Sequence, residues 1–467
     1  MVLVMIPRTR LSKSPHTVPP ACVFLSPFFR SARFPRTIPW MPRPVAAILT
    51  LGCKLNLADS EEIARGLRCA GFEVVDRVCE ADAYVVNTCS VTHVADAKSR
   101  RLIRSVQRLS PGAPVAVTGC YPQSAGFDAI TALGAGFVAG TRDADKAALV
   151  DFVASRRPAP RDTLPSSTAT LHTRAFIKAQ EGCNDVCAFC IVPQTRGREA
   201  SRPIAHVAAE VTRAVESGAR EVVITGTQLG AWGRDLDPRL TPASLVAGII
   251  ERTDVVRLRF SSLQPQDITP ELLALWEDPR LMPHFHLALQ AGSDATLRAM
   301  RRRYTVAQYR EAAARIRAVV PSVAITTDVI AGFPGESEDD FDQTLAFCDE
   351  MAFARVHCFP YSRRSRTTAA RSPGHLPPPV IHERMSRLLA TAEMLSLRFR
   401  ESQAGATRTV LWEGERRLPG GRYTHGYTDN YVPVYGNCKD ITNRVTPAVI
   451  GPVYHDGVWG TLPGEAL

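Results

Sequence analysis

Three cysteines, Cys183, Cys187 and Cys190, stand close together in the stretch Glu181-Gly182-Cys183-Asn184-Asp185-Val186-Cys187-Ala188-Phe189-Cys190. The spacing Cys-x3-Cys-x2-Cys puts three soft sulfur ligands on one short loop, where they can point at one inorganic core. Zinc and iron–sulfur are the groups such ligands favour. A 4Fe–4S cluster ordinarily takes four cysteines, one per iron. Three leave one iron open, and an open iron can bind a substrate or cofactor directly. The competing reading is a structural zinc that borrows a fourth ligand elsewhere, but such sites ordinarily use paired Cys-x2-Cys knuckles.

The elements that must position this loop are legible on either side of it. Strands are expected at 174–180, 221–225, 255–261, 284–290, 323–330 and 353–359, separated by segments of helical period such as 204–217 and 307–319. Six βα units make a partial parallel barrel rather than a closed eight-stranded one. Parallel barrels place their chemistry in the loops at the carboxyl ends of the strands. The cysteine loop follows the first strand, so it belongs at that face.

Ahead of the barrel, strand 45–50 leads to Leu51-Gly52-Cys53-Lys54-Leu55-Asn56, strand 83–88 to Cys89, and strand 115–118 to Gly119-Cys120. A helix is expected to start at Asp59 or Ser60, both good N-caps. A second helix, after Cys89, carries Lys98, Arg100, Arg101, Arg104 and Arg108. Strands alternating with helices form a parallel sheet whose carboxyl ends share one edge. Cys53, Cys89 and Cys120, far apart in sequence, should therefore converge on one crevice. A lone cysteine at a strand end is ordinarily a small buried hydrophobe, and Cys69 and Cys79 suit that reading.

The flanks are plainer. Residues 1–44 are rich in Pro, Arg and Ser and show no periodicity; a disordered leader, a transit peptide or an over-long start before Met41 all suit them. Residues 154–172 read as a Pro/Ser/Thr/Arg-rich linker. Prolines 373 and 377–379 punctuate the end of the barrel, a helix over 381–399 follows, and short β-rich runs at 407–412, 423–427 and 430–435 suggest a small antiparallel barrel. The expected fold class is α/β: an N-terminal parallel domain over 45–153, a partial (βα)6 barrel over 173–399 and an antiparallel β-barrel over 400–467.

Composition narrows the class. With 467 residues, 45% hydrophobic and 22% charged, the chain reads as a multidomain globular protein with no apolar run long enough to span a bilayer. Twelve cysteines are too few for a disulfide scaffold, and the clustered ones read as metal ligands in a reducing compartment. The net charge of +10 includes six cations and no acid in residues 1–40, which leaves +4 for the remainder, so bulk charge decides little.

Residues 45–467 resemble, over most of their length, the methylthiotransferase family of radical S-adenosylmethionine (SAM) enzymes. The Cys183 loop carries the resemblance, together with Ile224-Thr225-Gly226-Thr227-Gln228-Leu229-Gly230, Arg259-Phe260-Ser261-Ser262, Leu289-Gln290-Ala291-Gly292-Ser293, Thr327-Asp328-Val329-Ile330-Ala331-Gly332-Phe333-Pro334-Gly335-Glu336 and His357-Cys358-Phe359-Pro360-Tyr361-Ser362. It implies a radical SAM barrel and a C-terminal TRAM domain. It implies that Cys183, Cys187 and Cys190 hold a 4Fe–4S cluster that cleaves SAM to a 5′-deoxyadenosyl radical. Cys53, Cys89 and Cys120 would hold a second, auxiliary 4Fe–4S cluster that carries or donates sulfur, and a second SAM would supply the methyl group. Such radical chemistry belongs to the cofactor, so no catalytic side chain is expected. SAM contacts are expected from Thr225, Gly226, Gln290 and Asp328, with Gly332, Pro334 and Gly335 shaping a tight loop.

The implied partners are a tRNA anticodon loop, an electron donor such as flavodoxin or ferredoxin, and a sulfur source, in the cytoplasm and without a membrane. RNA contacts are expected from Arg301, Arg302 and Arg303 and from stacking on Tyr427 and Tyr431; a solvated charged face and core packing are the competing readings. The Cys53-Lys54-Leu55-Asn56 motif looks like the subgroup acting on N6-threonylcarbamoyladenosine, whose carboxylate Arg196, Arg198 or the arginines at 301–303 could pair with. Related alternatives are methylthiolation of N6-isopentenyladenosine or of a ribosomal-protein aspartate. A non-catalytic iron–sulfur RNA-binding protein is the reading from outside the enzyme class.

Overall fold

The computed structural model describes residues 43–156 and 173–464. The leader, apart from its last two residues, and most of the linker lie outside the described residues.

The N-terminal domain runs β1 (Val45–Thr50), α1 (Lys54–Cys69), β2 (Glu73–Val75), β3 (Ala83–Thr88), α2 (His93–Leu109), β4 (Val115–Gly119) and β5 (Phe137–Val138), with short helices and Asp143–Ser155 completing it. Its sheet is parallel, in the order β2-β1-β3-β4-β5. The three central strands are almost wholly buried, as near-continuous apolar runs in a sheet covered on both faces must be. Tyr84, Val86, Val117 and Ile103 pack one face, and Ile48, Val85, Ile63 and Leu67 the other.

The start expected for α1 needs correction. The helix begins at Lys54 with Cys53 as its N-cap residue, and Asp59 and Ser60 are buried inside it. Both side chains have tertiary partners that outweigh a cap: Asp59 meets Arg196, Lys178 and Lys146, and Ser60 bonds Thr50 and Asn87. Cys53 thereby sits at the positive end of a helix macrodipole.

The middle domain is a half-barrel of six parallel strands: β6 (Arg174–Lys178), Glu221–Thr225, Leu258–Phe260, His284–His286, Ala324–Ala331 and Arg355–Pro360. They form two three-stranded parallel sheets, and the bridges Leu258↔Leu281 and Leu263↔Leu287 connect them. α1 packs on β6, where Glu61 accepts a hydrogen bond from the Phe176 amide at 3.2 Å.

After the helix Pro378–Glu401, the strands Thr407–Leu418, Gly421–Thr428, Pro433–Gly436, Val445–Tyr454 and Gly457–Thr461 close into a five-stranded barrel around Trp412, Val434, Ala448 and Val458. It is fastened to the amino end of the half-barrel. Arg257 donates to the Thr428 carbonyl and Arg259 to the Asp429 carbonyl, both at 3.0 Å. The same two arginines and Arg174 converge on the fully buried Glu221. Burial opposes ionisation there, but three guanidiniums hold the Glu221 carboxyl well below the usual range. No described helix is long and apolar enough to cross a membrane.

Candidate functional site

β1, β3 and β4 are neighbours and end at one edge, and a cysteine follows each: Cys53 at the N-cap of α1, Cys89 directly after β3 and Cys120 directly after β4. Their sulfurs lie within electrostatic reach of one another. Burial pushes the Cys89 thiol up to about 12, and the neighbouring Cys120 and Cys53 add to the rise. Gly52 permits the approach of the first loop: at φ +120° a Cβ there would lie 3.0 Å from that of Cys89.

The second triad is local. The Cys190 amide donates to the Cys187 carbonyl at 3.1 Å, and the Asp185 amide to the Cys183 sulfur at 3.4 Å. Burial raises the Cys183 thiol to about 11 and the Cys190 thiol to about 12, with the Cys187 sulfur adding to both. Thiols this reluctant to ionise become thiolate ligands only when a cationic core displaces the proton.

All six cysteines are free. One zinc with bonds of about 2.3 Å gathers its sulfurs to about 3.8 Å apart. Among the described residues the one group of three candidate ligands drawn within 4.8 Å of one another is His286, Asp328 and His357, and neither cysteine triad is so tight. Three free thiols spread more widely than one ion's shell fit a polynuclear iron–sulfur core better than zinc.

Arg302 and Arg196 serve one triad each. Arg302 donates to the Cys187 sulfur at 3.2 Å, to Gln264 at 2.8 Å and to the Tyr304 hydroxyl at 3.1 Å. Arg196 donates to Asp59 at 2.6 Å, Glu181 at 2.8 Å and Asn56 at 2.5 Å. Burial raises the Cys120 thiol, and the nearby charge of Arg196 holds that rise back. Arg196 belongs to the loop after Cys190 yet reaches the other triad, so it ties the two sites across the domain seam. A second tie is Arg364, which donates to Asp96 at 2.7 Å and to Ser90 and Ser124 at 2.9 Å.

Three of the four residues expected to touch SAM lie at the carboxyl rim. Thr225 ends its strand, Gly226 follows it, and Gln290 takes the left-handed φ of +73° while its amide donates to the Asp328 carbonyl. A Cβ at Gly226 would meet Leu229 at 2.8 Å and Gln180 at 3.1 Å. The Asp328 carboxylate turns into the lumen, where Oδ2 stands 3.4 Å from His286 Nε2. Burial lowers the pKa of His284, His286 and His357, the last to about 3, so all three imidazoles are neutral near pH 7. His286, Asp328 and His357 could ligate a metal, but the charges of Lys54 and Arg259 reach this space and oppose a divalent cation. The lumen therefore offers a bound group one ammonium, one carboxylate and neutral imidazoles.

The residues expected to meet RNA divide. Arg301 and Arg303 are exposed, Arg303 pairing with Asp185 at 2.8 Å. Arg302 is turned inward, its guanidinium committed to Cys187, Gln264 and Tyr304. Tyr427 and Tyr431 also face protein. Their rings stack on each other at 5.1 Å, the Arg174 guanidinium lies 5.0 Å from both, and Arg259 lies 4.5 Å from Tyr431. Rings used in this way plug the amino end of the half-barrel, which leaves their faces closed to a base.

Sequence reasoning missed Lys54 as a site residue. It follows Cys53, is half-buried, lies 5.7 Å over the Tyr431 ring, and ion-pairs with no carboxylate among the described residues. Its signal was its position, one residue past a candidate ligand.

Comparison with known proteins completes the site. A model described as "Uncharacterized protein family UPF0004" matches residues 45–139, and one described as "Radical SAM superfamily" matches residues 177–348. The chain is 33% identical over 430 residues to the threonylcarbamoyladenosine tRNA methylthiotransferase MtaB of Bacillus subtilis, covering 88% of this chain and 95% of that protein. It is also 33% identical over 432 residues to the tRNA-2-methylthio-N(6)-dimethylallyladenosine synthase of Syntrophotalea carbinolica, covering 88% and 98%. The solved structure of the radical SAM methyltransferase TsrM from Kitasatospora setae superposes with a TM-score of 0.52 at 14% identity, over 79% of this chain and 81% of that one, a likeness of fold.

Proposed function

The chain belongs to the methylthiotransferase family of radical SAM enzymes, and from that premise we propose that it acts on N6-threonylcarbamoyladenosine beside the anticodon of tRNA, replacing the hydrogen at C2 with a methylthio group. Its cofactors are SAM and 4Fe–4S clusters. Cys183, Cys187 and Cys190 would hold the cluster that meets SAM, and Cys53, Cys89 and Cys120 the auxiliary one. When bound, these groups supply the hydrogen-abstracting radical, the sulfur and the methyl group.

The chain's own residues position and insulate. Arg302 places a guanidinium on the Cys187 sulfur, and the charge of Arg196 lies near that of Cys120. Hydrogen bonds to cluster sulfurs favour the more negative, reduced form. Thr225, Gly226 and Gln290 offer a rim of small side chains and backbone for SAM. The N-terminal domain, held by Arg364 and Arg196, covers the carboxyl face and keeps bulk water from a radical.

The observation that carries the choice of nucleoside is Lys54. Burial lowers its pKa although Tyr431 and Asp328 pull the other way, a cost that a substrate carboxylate would offset. The threonylcarbamoyl substituent brings a carboxylate and a urea, which suit an ammonium and the neutral imidazoles of His286 and His357. An isopentenyl group would leave those polar groups unmatched, the kind of mismatch that discriminates strongly. The equal identity to a dimethylallyladenosine enzyme keeps that nucleoside as the second reading.

The test is the tRNA nucleoside profile of cells lacking the protein. Loss of 2-methylthio-N6-threonylcarbamoyladenosine with accumulation of its unthiolated precursor supports the proposal. Loss of the isopentenyl counterpart alone would transfer the enzyme to the second reading, and an unchanged profile would refute both.

A further inference from the structure

α2 buries Ala95, Asp96, Ser99, Ile103 and Val106 against the sheet. The opposite face exposes Arg101, Arg104 and Arg108, about one helical turn apart. Lys98 and Arg100 flank them. The helix has a single acid, Asp96, and Arg364 and Ser90 hold it inside the domain seam. Some exposed helical arginines elsewhere do have partners: Arg387 meets Glu338, Asp342 and Glu383, and Arg398 meets Asp349. Among the described residues, Arg101, Arg104 and Arg108 ion-pair with none. They line, with Ala97 and Arg100, an open groove of about 360 Å³. Like charges on successive turns repel one another, so this face is a cationic strip that the described residues leave uncompensated.

The helix also points the right way. It begins four residues past Cys89, and at its first turn the His93 amide donates to Ser362 at 3.1 Å while the His93 ring meets the Arg363 carbonyl. From that seam α2 runs roughly 25 Å outward. We propose that this arginine face of α2 is a docking track for the phosphate backbone of the substrate RNA, carrying the stem while the loop enters the seam between the two cysteine triads. The inference rests on the reading of the chain as an RNA-modifying enzyme. Guanidiniums suit phosphate because their planar fork pairs two oxygens at once. A membrane is a poorer fit, since the apolar face of α2 is already buried and only Val94 and Leu109, near its ends, are exposed hydrophobics.

The experiment measures binding of a fluorescein-labelled tRNA anticodon stem-loop to the full chain, carrying its clusters, across a salt series. The triple variant R101Q/R104Q/R108Q should bind at least about tenfold more weakly, and its slope of log affinity against log salt should fall by about 2 to 3, one phosphate contact per arginine. The charge-conserving R101K/R104K/R108K variant should recover most of that slope, which separates lost charge from lost folding. An unchanged slope in the glutamine variant, with normal RNA binding by the unaltered protein, overturns the track and leaves the functional reading standing. No RNA binding by the unaltered protein overturns both. A glutamine variant that keeps RNA affinity but loses stimulation by reduced flavodoxin assigns the face to an acidic protein donor and overturns the proposal.

Discussion

Cys183, Cys187 and Cys190 come from one loop shaped by its own turns, whereas Cys53, Cys89 and Cys120 come from three strand ends that only the folded sheet brings together. The local triad needs little beyond its loop to assemble. The dispersed triad depends on the parallel register of β1, β3 and β4 and on the docking of the barrel, because Arg196, beside Cys120, arrives from the other domain. Two sites built from one kind of ligand should therefore fail in different ways.

The largest effect separates them by chemistry. Cys187→Ala should abolish SAM cleavage, read as 5′-deoxyadenosine released under anaerobic reduction, whereas Cys89→Ala should leave that release measurable and stop thiolation of the RNA. Equal loss in both variants would erase the distinction between the sites.

Lys54 sharpens the comparison at the substrate. Lys54→Met should raise the KM for RNA carrying the threonylcarbamoyl group by roughly 10- to 100-fold, the range expected when a hydrogen bond to a charged group is lost. RNA with an isopentenyl group should be affected less, and steady-state kinetics on the two oligonucleotides give the ratio. An equal loss on both would move Lys54 from specificity to general structure.

The seam comes next. Asp59→Asn would leave Arg196, Lys178 and Lys146 around a neutral amide, and breaking a buried ion pair costs about 3 to 5 kcal/mol. Urea unfolding should show that loss. The auxiliary triad should lose iron before the local one, because Asp59 holds Arg196 in place; simultaneous loss would mean that the sites do not differ in their dependence on docking.

The smallest effect is a pH dependence at the same seam. Burial raises the half-buried Glu61 carboxyl to about 8, against 4.5 in an unfolded chain. The folded state then binds the proton more tightly, so stability falls as pH rises from about 4.5 through 8. Glu61→Gln keeps an acceptor for the Phe176 amide and should flatten the fall, with a gain of order 1 to 2 kcal/mol near pH 8. Melting curves at pH 5.5 and 8 test it; a wild-type stability that does not drop between them contradicts the assignment.

Much of this architecture was legible because parallel strands buried on both faces are apolar runs that end at Gly, Cys or Thr. The placement of all six cysteines at strand ends or on the first barrel loop follows from that pattern alone. What was hidden depends on partners distant in sequence. Asp59 and Ser60 have the composition of N-caps, and only Arg196, Lys146 and Asn87 turn them into interior helix residues. Arg302, Tyr427 and Tyr431 look like RNA contacts until tertiary packing points them at Cys187 and Arg174. The strand Val445–Tyr454 was missed because Pro447 and Pro452 interrupt it; Pro452 falls at a bulge between Ile450 and Val453, where proline is tolerated. The exposed arginines of α2 were visible as charges, but their lack of ion-pair partners among the described residues was not.

The central claim, two triads each holding its own cluster, is tested most directly by counting iron. Anaerobically reconstituted protein should bind about eight irons per chain, with Mössbauer spectra of 4Fe–4S type, and about four after all three of Cys53, Cys89 and Cys120 are changed to alanine. Changing Cys183, Cys187 and Cys190 should leave about four as well, with the other site intact. About four irons in the unaltered protein, unchanged when Cys53, Cys89 and Cys120 are replaced, would contradict the account and make those three ordinary buried cysteines.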